Sequence, residues 1–272
     1  MKKTVLLRLC LFMLSSLYAK DYLFEGITYM SSIDLLYCFD NGKFEVHKYL
    51  DTGEWEIKSY PYEMIQDDGY LIAKLNKDNS IDNLYIFNAD KNHILIYDSN
   101  LKETIIATEK KGHRDEPWIY SARNVQSSSF LTEFLRGEKV SYKPENLGLY
   151  KLPFSWVEGV EGYGEGEKIS FDNWGNGSRK IYIINGFFAP DKPRLFYDNN
   201  RVKELLINCY KGNELISTES RILKDTGEMQ LLEFSQRYDS FDFIIKSVYY
   251  GKKYNDTAIT GIFIDALDCY EE

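Results

Sequence analysis

The chain has 272 residues, of which 44% are hydrophobic and 15% aromatic, and its formal net charge is −9. This apolar content is enough to fill a core, so the composition excludes a disordered chain, and the negative charge disfavours a nucleic-acid partner because it repels phosphate backbones. The length exceeds what one small core usually organises, and we predict two domains.

The first nineteen residues have the order of a secretory signal peptide. Lys2 and Lys3 precede an apolar stretch, and small residues lead to a cleavage point after Ala19. We therefore predict an extracytoplasmic protein, either periplasmic, on the cell surface or secreted. Removal of residues 1–19 changes the formal net charge from −9 to −12, because Lys2, Lys3 and Arg8 are lost and no acid is. No later stretch is apolar enough to span a bilayer, so the mature chain is expected to have no membrane span.

Residues 20–108 alternate short strand-like runs with turn signals. The turns contain Asn, Asp and Gly, which accept the backbone angles of tight hairpins at little cost. The runs are rich in β-branched and aromatic residues: Ile33–Phe39, Lys43–Tyr49, Glu54–Tyr60, Tyr70–Leu75, Leu84–Phe87, Ile94–Tyr97 and Thr104–Thr108. This pattern predicts an antiparallel meander domain, either open or closed into a small barrel.

Residues 109–118 are polar, carry charges of both signs and include Pro117, and they are interpreted as a linker. Beyond them, Phe130–Gly137 is predicted to form a short helix or an irregular strand. Seven further strands are predicted: Lys168–Phe171, Lys180–Asn185, Arg201–Tyr210, Glu214–Thr218, Met229–Ser235, Phe241–Tyr249 and Ile259–Ala266. This number of antiparallel strands favours a two-sheet sandwich over residues 119–272 and an all-β fold for the whole chain.

The segment Phe154–Ile169 reads FSWVEGVEGYGEGEKI. It resembles the WVEG-x-GxGE signature of discoidin-like domains related to the translocation domain of NAD glycohydrolase. Further matches follow in order at Tyr142–Asn146, Ile183–Phe187, Asn200–Lys203 and Val248–Ile259. The resemblance covers only the C-terminal half. It implies a galactose-binding-like jelly roll that holds sugars, lipids or proteins through loops at one end, and it does not imply glycohydrolase activity, which belongs to a separate domain.

The same resemblance indicates whether a bound calcium ion is expected. Where related domains carry an Asp-Gly loop that helps to hold structural calcium, this sequence has Leu147–Lys151. The substitution disfavours a calcium ion, and no cofactor is predicted. Cys209 and Cys269 lie in the same predicted domain, where a disulfide and two free buried thiols both remain open.

Two interpretations of the glycine-rich segment remain open. In the first, Trp156 packs into the sandwich and the glycines form a structural corner. In the second, Glu158 or Glu161 holds a polar ligand beside an aromatic ring, a combination that suits sugars. The acids of the segment would repel a phosphate group, so a nucleotide-binding loop is excluded.

Six residues at or beside predicted strand ends are the candidate ligand-binding set, because loops held by a rigid sheet commonly carry binding sites. They are Trp156, Glu158, Glu161, Asn185, Phe187 and Arg201. The histidines are scattered and form no metal-binding motif, so neither a metal site nor catalytic residues are predicted.

The sequence therefore predicts a non-catalytic binding protein of the cell envelope whose sandwich recognises a glycan or an envelope protein. Two alternatives are kept. One is a carbohydrate-acting hydrolase that draws its acids from the glycine-rich loop and neighbouring strands, and the other is a structural envelope protein without a ligand.

Overall fold

The fold is all-β, as predicted. The computed structural model describes residues 26–31, 35–67, 69–77, 80–90, 92–109 and 118–270. The predicted signal peptide, residues 1–19, and all of the predicted linker except Glu109 and Trp118 lie outside these residues.

The N-terminal strands form a closed antiparallel barrel in which each strand pairs with the next and β1 pairs with β8. The strands are β1 (Thr28–Ser31), β2 (Leu35–Asp40), β3 (Lys43–Tyr49), β4 (Trp55–Asp67), β5 (Tyr70–Lys77), β6 (Ser80–Asn88), β7 (His93–Asp98) and β8 (Glu103–Glu109). Seven of the eight correspond to predicted runs. The structure decides between the open and the closed meander in favour of the closed one.

The C-terminal part begins with short strands and two 3-10 helices, Pro144–Leu147 and Leu149–Lys151. The short strands are β9 (Ile119–Ser121), β10 (Arg123–Ser127), β11 (Thr132–Leu135), β12 (Glu138–Ser141) and β13 (Trp156–Val157). The longer elements follow: β14 (Lys168–Asp172), β15 (Ser178–Asn185), α1 (Leu195–Asp198), β16 (Asn200–Lys211), β17 (Glu214–Ile222), β18 (Met229–Tyr238), β19 (Ser240–Tyr249), β20 (Thr257–Asp265) and α2 (Ala266–Tyr270). The stretch left open between helix and strand is the hairpin of β11 and β12.

Two strand groups form the sandwich. One group has the order β10, β14, β19, β16 with β17 beside β16, and the other has the order β20, β15, β18 with β9 and β13 beside β20. Among the described residues, the two groups are paired with each other where the first residues of β16 and β20 run in parallel. Side chains from both groups share one buried core, for example Ile207, Phe243, Ile183 and Ile262. The alternation of strand side chains explains this arrangement, because every second residue points to the same face.

The junction between barrel and sandwich is a second buried cluster, made of side chains from both parts. Phe188 of the sandwich contacts the rings of Tyr70, Tyr85, Phe87 and Tyr97 on the outer face of the barrel at centroid distances of 5.1, 4.9, 5.3 and 5.5 Å. All four contacts are edge-to-face, the favourable geometry for aromatic pairs. The barrel therefore has two apolar faces, one inside it and one against the sandwich.

Candidate functional site

The predicted site residues come from separate segments, and the structure brings most of them to one place. Four of the six meet at the first residues of β20, 257–259, through strand pairing or hydrogen bonds: Trp156, Glu158, Asn185 and Arg201. This place is the loop end of the sandwich, where β15 ends and β16 and β20 begin. All four side chains are buried.

Trp156 and Glu158 anchor the glycine-rich segment through hydrogen bonds. The Trp156 indole N–H donates to the carbonyl of Ser129 at 3.1 Å, and its ring lies in the sandwich core. The Glu158 carboxylate accepts the backbone N–H groups of Val160 at 2.8 Å and Thr257 at 3.3 Å. Burial raises the pKa of Glu158, and these two hydrogen bonds act in the opposite direction.

Gly164 shows why the segment needs glycine. Its φ is +73°, and a Cβ at this position would lie 2.7 Å from the Cγ of Glu158. Any side chain here would therefore be strained in its backbone and would displace the buried carboxylate.

Asn185 and Arg201 also make hydrogen bonds within the protein. Asn185 donates to the carbonyl of Val202 at 2.7 Å and accepts the N–H of Val202 at 3.0 Å. Arg201 forms a two-point ion pair with Asp225 at 2.9 and 2.8 Å. The Asn185 contacts tie β15 to β16, and the Arg201 pair ties β16 to the segment between β17 and β18. Ligand binding by the buried residues stays a prediction, and their contacts assign each of them a structural role.

The other two predicted residues are accessible. Glu161 is exposed in the glycine-rich loop, and Phe187 is partly exposed just after the end of β15. The Phe187 ring packs against Tyr142 with the centroids 5.7 Å apart. Phe187 also lines a pocket.

This pocket, which we call the loop-end pocket, lies directly above the buried residues and has a volume of about 220 Å³. Glu133, Tyr142, Phe187, Lys192, Tyr254 and Asp256 contribute the polar and aromatic groups of its wall. It lies where the β11–β12 hairpin, the end of β15 and the segment before β20 come together. Sugars are commonly held by such a combination of ring faces and hydrogen-bonding acids.

Two carboxylates give the loop-end pocket its charge. Glu133 accepts a hydrogen bond from the Tyr142 hydroxyl at 2.7 Å. Burial raises the pKa of Asp256, and the nearby negative charge of Glu133 raises it further. Within the described part of the chain neither carboxylate forms an ion pair, so both are available to accept hydrogen bonds from a ligand.

The barrel supports the floor of this pocket. The Tyr70 hydroxyl donates to the carbonyl of Phe187 at 3.0 Å, and the Tyr85 hydroxyl donates to the carbonyl of Pro190 at 2.9 Å. Both tyrosines are buried. The segment that presents Phe187 is thus fixed from the barrel side by two hydrogen bonds and by the ring of Phe188.

Over the described ranges, no group of three or more His, Cys, Asp or Glu side chains is arranged to hold a metal ion. Cys209 and Cys269 are free and buried, which decides the open question on their pairing. Among the same residues no helix has the length and apolar composition that crossing a bilayer requires.

Most of the residues that line the loop-end pocket were not among the six predicted site residues, although the sequence carried a signal for some of them. Tyr142 and Asp256 stand inside the matched segments Tyr142–Asn146 and Val248–Ile259, beside residues that are buried in the structure. Glu133 had no such signal, because the sequence left its segment open between helix and strand.

Comparison with known proteins identifies the family of the C-terminal part. Residues 118–265 match the model of the NAD glycohydrolase translocation F5/8 type C domain. No curated protein matches the chain.

Several solved structures are similar to the chain at low identity. The family 32 carbohydrate-binding module of AlyQ, in complex with 4,5-unsaturated mannuronic acid, is 13% identical over 54% of this chain and 96% of its own, with a TM-score of 0.36. The family 32 module of C. perfringens NanJ, in complex with galactose, is 9% identical over 54% of this chain and 98% of its own, with a TM-score of 0.35. A glycoside hydrolase is 10% identical over 87% of this chain and 69% of its own, with a TM-score of 0.40. These TM-scores are too low to support an inference.

Proposed function

The chain belongs, through residues 118–265, to the NAD glycohydrolase translocation F5/8 type C domain family, and from this premise we propose that it is a non-catalytic binding protein whose loop-end pocket holds a glycan. The pocket itself carries the proposal, because it combines partly exposed aromatic rings with two carboxylates that have no ion-pair partner among the described residues. The signal-like order of residues 1–19 supports a location outside the cytoplasm, where glycans of the cell envelope are accessible.

The charge of the pocket narrows the ligand class. Glu133 and Asp256 accept hydrogen bonds from sugar hydroxyl groups, while they repel sugars that carry carboxylate or sulfate groups. Lys192 at the exposed edge offsets only one of the two negative charges. We therefore propose neutral or amino sugars as the preferred ligands, and a glycan screen of the full chain should return these in preference to acidic sugars.

We expect Asp256→Asn to weaken binding of the best glycan from that screen by about tenfold or more, because a charge-assisted hydrogen bond is lost without loss of volume. Thermal stability should not fall, since burial already disfavours the charged form of Asp256. Titration calorimetry and thermal melting measure the two effects. Asp51→Asn, in the exposed turn between β3 and β4, is the matched control and should change neither.

The raised pKa of Asp256 also sets the direction of the pH dependence. A glycan that donates to the ionised carboxylate binds best above that pKa, and its affinity falls as Asp256 becomes protonated on acidification. The loss should begin at a higher pH than for an ordinary aspartate, whose pKa is about 3.9. Asp256→Asn should remove this part of the pH dependence. An unchanged affinity in Asp256→Asn at every pH would show that the carboxylate does not contact the ligand.

One observation favours a second candidate function, that of a carbohydrate-acting hydrolase. Glycosidases use a carboxylic acid with a raised pKa together with a second carboxylate, and Asp256 with Glu133 offers such a pair. Product analysis of the bound glycan after prolonged incubation distinguishes the two functions. Recovery of the intact glycan supports binding alone, whereas cleavage that is lost in Asp256→Asn supports the hydrolase.

A further inference from the structure

The barrel contains a cavity of about 480 Å³ that is separate from the loop-end pocket. Residues from all eight strands, β1 to β8, line it, most of them on the inner face, so its main space lies inside the barrel. Ile106 of the junction cluster and Tyr150 of the C-terminal part also line it. Its apolar wall includes Leu35, Phe44, Val46, Leu75, Leu84 and Ile105. An eight-stranded barrel is just wide enough to be filled by its own side chains or to hold one small ligand.

Below this cavity the barrel is filled. Phe39, Tyr62, Ile86 and Ile96 are buried in the inner core, and the rings of Phe39 and Tyr62 meet edge-to-face at 5.4 Å. The cavity therefore has a solid apolar floor. Its volume lies within the range of about 300–1,000 Å³ that is typical of small-molecule sites.

The mouth of the cavity is polar, and three of its charged groups, Lys58, Lys77 and Asp98, have partners. Lys77 pairs with Asp82, and its ammonium group lies 5.2 Å from the centroid of the Tyr60 ring. The Asp98 carboxylate accepts the backbone N–H groups of Asn100 and Leu101 at 2.9 and 3.0 Å. The mouth thus carries charges of both signs, and beneath it the apolar side chains of the wall face the open space of the cavity.

From this arrangement we infer that the barrel binds a small amphiphile with a single alkyl or acyl chain. The chain enters the apolar cavity, and the headgroup stays at the polar mouth near Lys58 and Lys77. The free energy of binding comes from removal of the chain from water, and it therefore grows with each methylene group until the cavity is full. This inference does not depend on the glycan site.

The test is titration calorimetry of the full chain with sodium hexanoate, octanoate, decanoate and dodecanoate, each below its micelle-forming concentration. Affinity should rise about fourfold per added methylene and then level off when the chain fills the cavity. The heat-capacity change of binding should be negative, as burial of apolar surface requires. Failure of every alkanoate to bind would overturn the inference.

Two neighbouring residues provide a blocking variant and its control. Val46 lines the cavity, and Ile57 lies on the adjacent strand β4 with its side chain exposed to solvent. Val46→Phe should lower the affinity for decanoate by about tenfold, because the added ring occupies the space of the chain. Ile57→Phe adds the same ring outside and should leave the affinity unchanged.

A second blocking variant, Leu35→Phe, covers the case that Val46→Phe does not fold, and thermal melting of each variant reports on folding. Equal affinities for decanoate in the wild type and in a folded blocking variant would mean that the alkyl chain binds outside the cavity, which would contradict the inference. The glycan measurements on Asp256→Asn do not involve this cavity, so the two proposals can fail separately.

Discussion

Replacing Phe188 with alanine should lower the free energy of unfolding by about 3–5 kcal/mol, the usual effect of removing a buried phenylalanine. Phe188 is 1% exposed, and its ring contacts four aromatic rings of the barrel. The substitution leaves a cavity at the junction, and the rigid strands on both sides can close it only in part. Denaturant unfolding followed by fluorescence and circular dichroism measures the effect.

The matched control is Phe134→Ala, because Phe134 is 74% exposed on the β11–β12 hairpin. The free energy of unfolding of Phe134→Ala should differ from that of the wild type by no more than about 0.5 kcal/mol. An equally small effect of Phe188→Ala would mean that the junction cluster does not hold the barrel to the sandwich. The sequence predicted two domains, and this stays a prediction. Because both parts contribute to the shared cluster, we expect their unfolding to be coupled in a single transition.

Trp156→Ala should also lower the free energy of unfolding by about 3–5 kcal/mol. The Trp156 side chain is fully buried between the two strand groups, and its indole donates to Ser129. Loss of the indole leaves a large cavity under the glycine-rich segment and removes one of the two hydrogen bonds that the Ser129 carbonyl accepts. Thermal or denaturant unfolding measures the loss.

Two controls separate packing from hydrogen bonding. Trp156→Phe keeps most of the apolar volume and loses the hydrogen bond, so it should cost about 1–3 kcal/mol. Trp55→Ala removes a tryptophan that is 48% exposed and should cost less than about 1 kcal/mol. If Trp156→Ala were as mild as Trp55→Ala while glycan binding was lost, Trp156 would be a ligand contact and its structural assignment would be wrong.

The sequence predicted the strands well because their signals are local. Turn residues such as Asn41 and Gly42 adopt positive φ between β2 and β3, and strands such as β14 and β19 alternate in burial as a pleated sheet requires. Closure of the barrel was not predictable in this way. It depends on the pairing of β1 with β8, and β1 has only four residues, too few for a clear alternation.

The position of the candidate residues at strand ends was predictable from the sequence, whereas their exposure was not. The matched motifs lie at the correct strand ends because glycine and asparagine are required there by the backbone, as the contacts of Gly164 and Asn185 show. The residues that define these motifs set the backbone geometry and are buried. The accessible residues, such as Asp256, are their neighbours along the chain. The near-continuous burial of β5 to β7 reflects two covered faces, but a run of apolar residues does not say what covers the outer one, so the junction with the barrel was not predicted.

A crystal structure of the full chain with the best glycan from the screen would show whether the loop-end pocket is the glycan site. We expect a sugar ring against Phe187, with hydroxyl groups within hydrogen-bond distance of Glu133 and Asp256. A second polar hollow, on the sheet face near Tyr210 and Asp242, is the alternative position. A sugar bound there, with the loop-end pocket empty, would contradict the account.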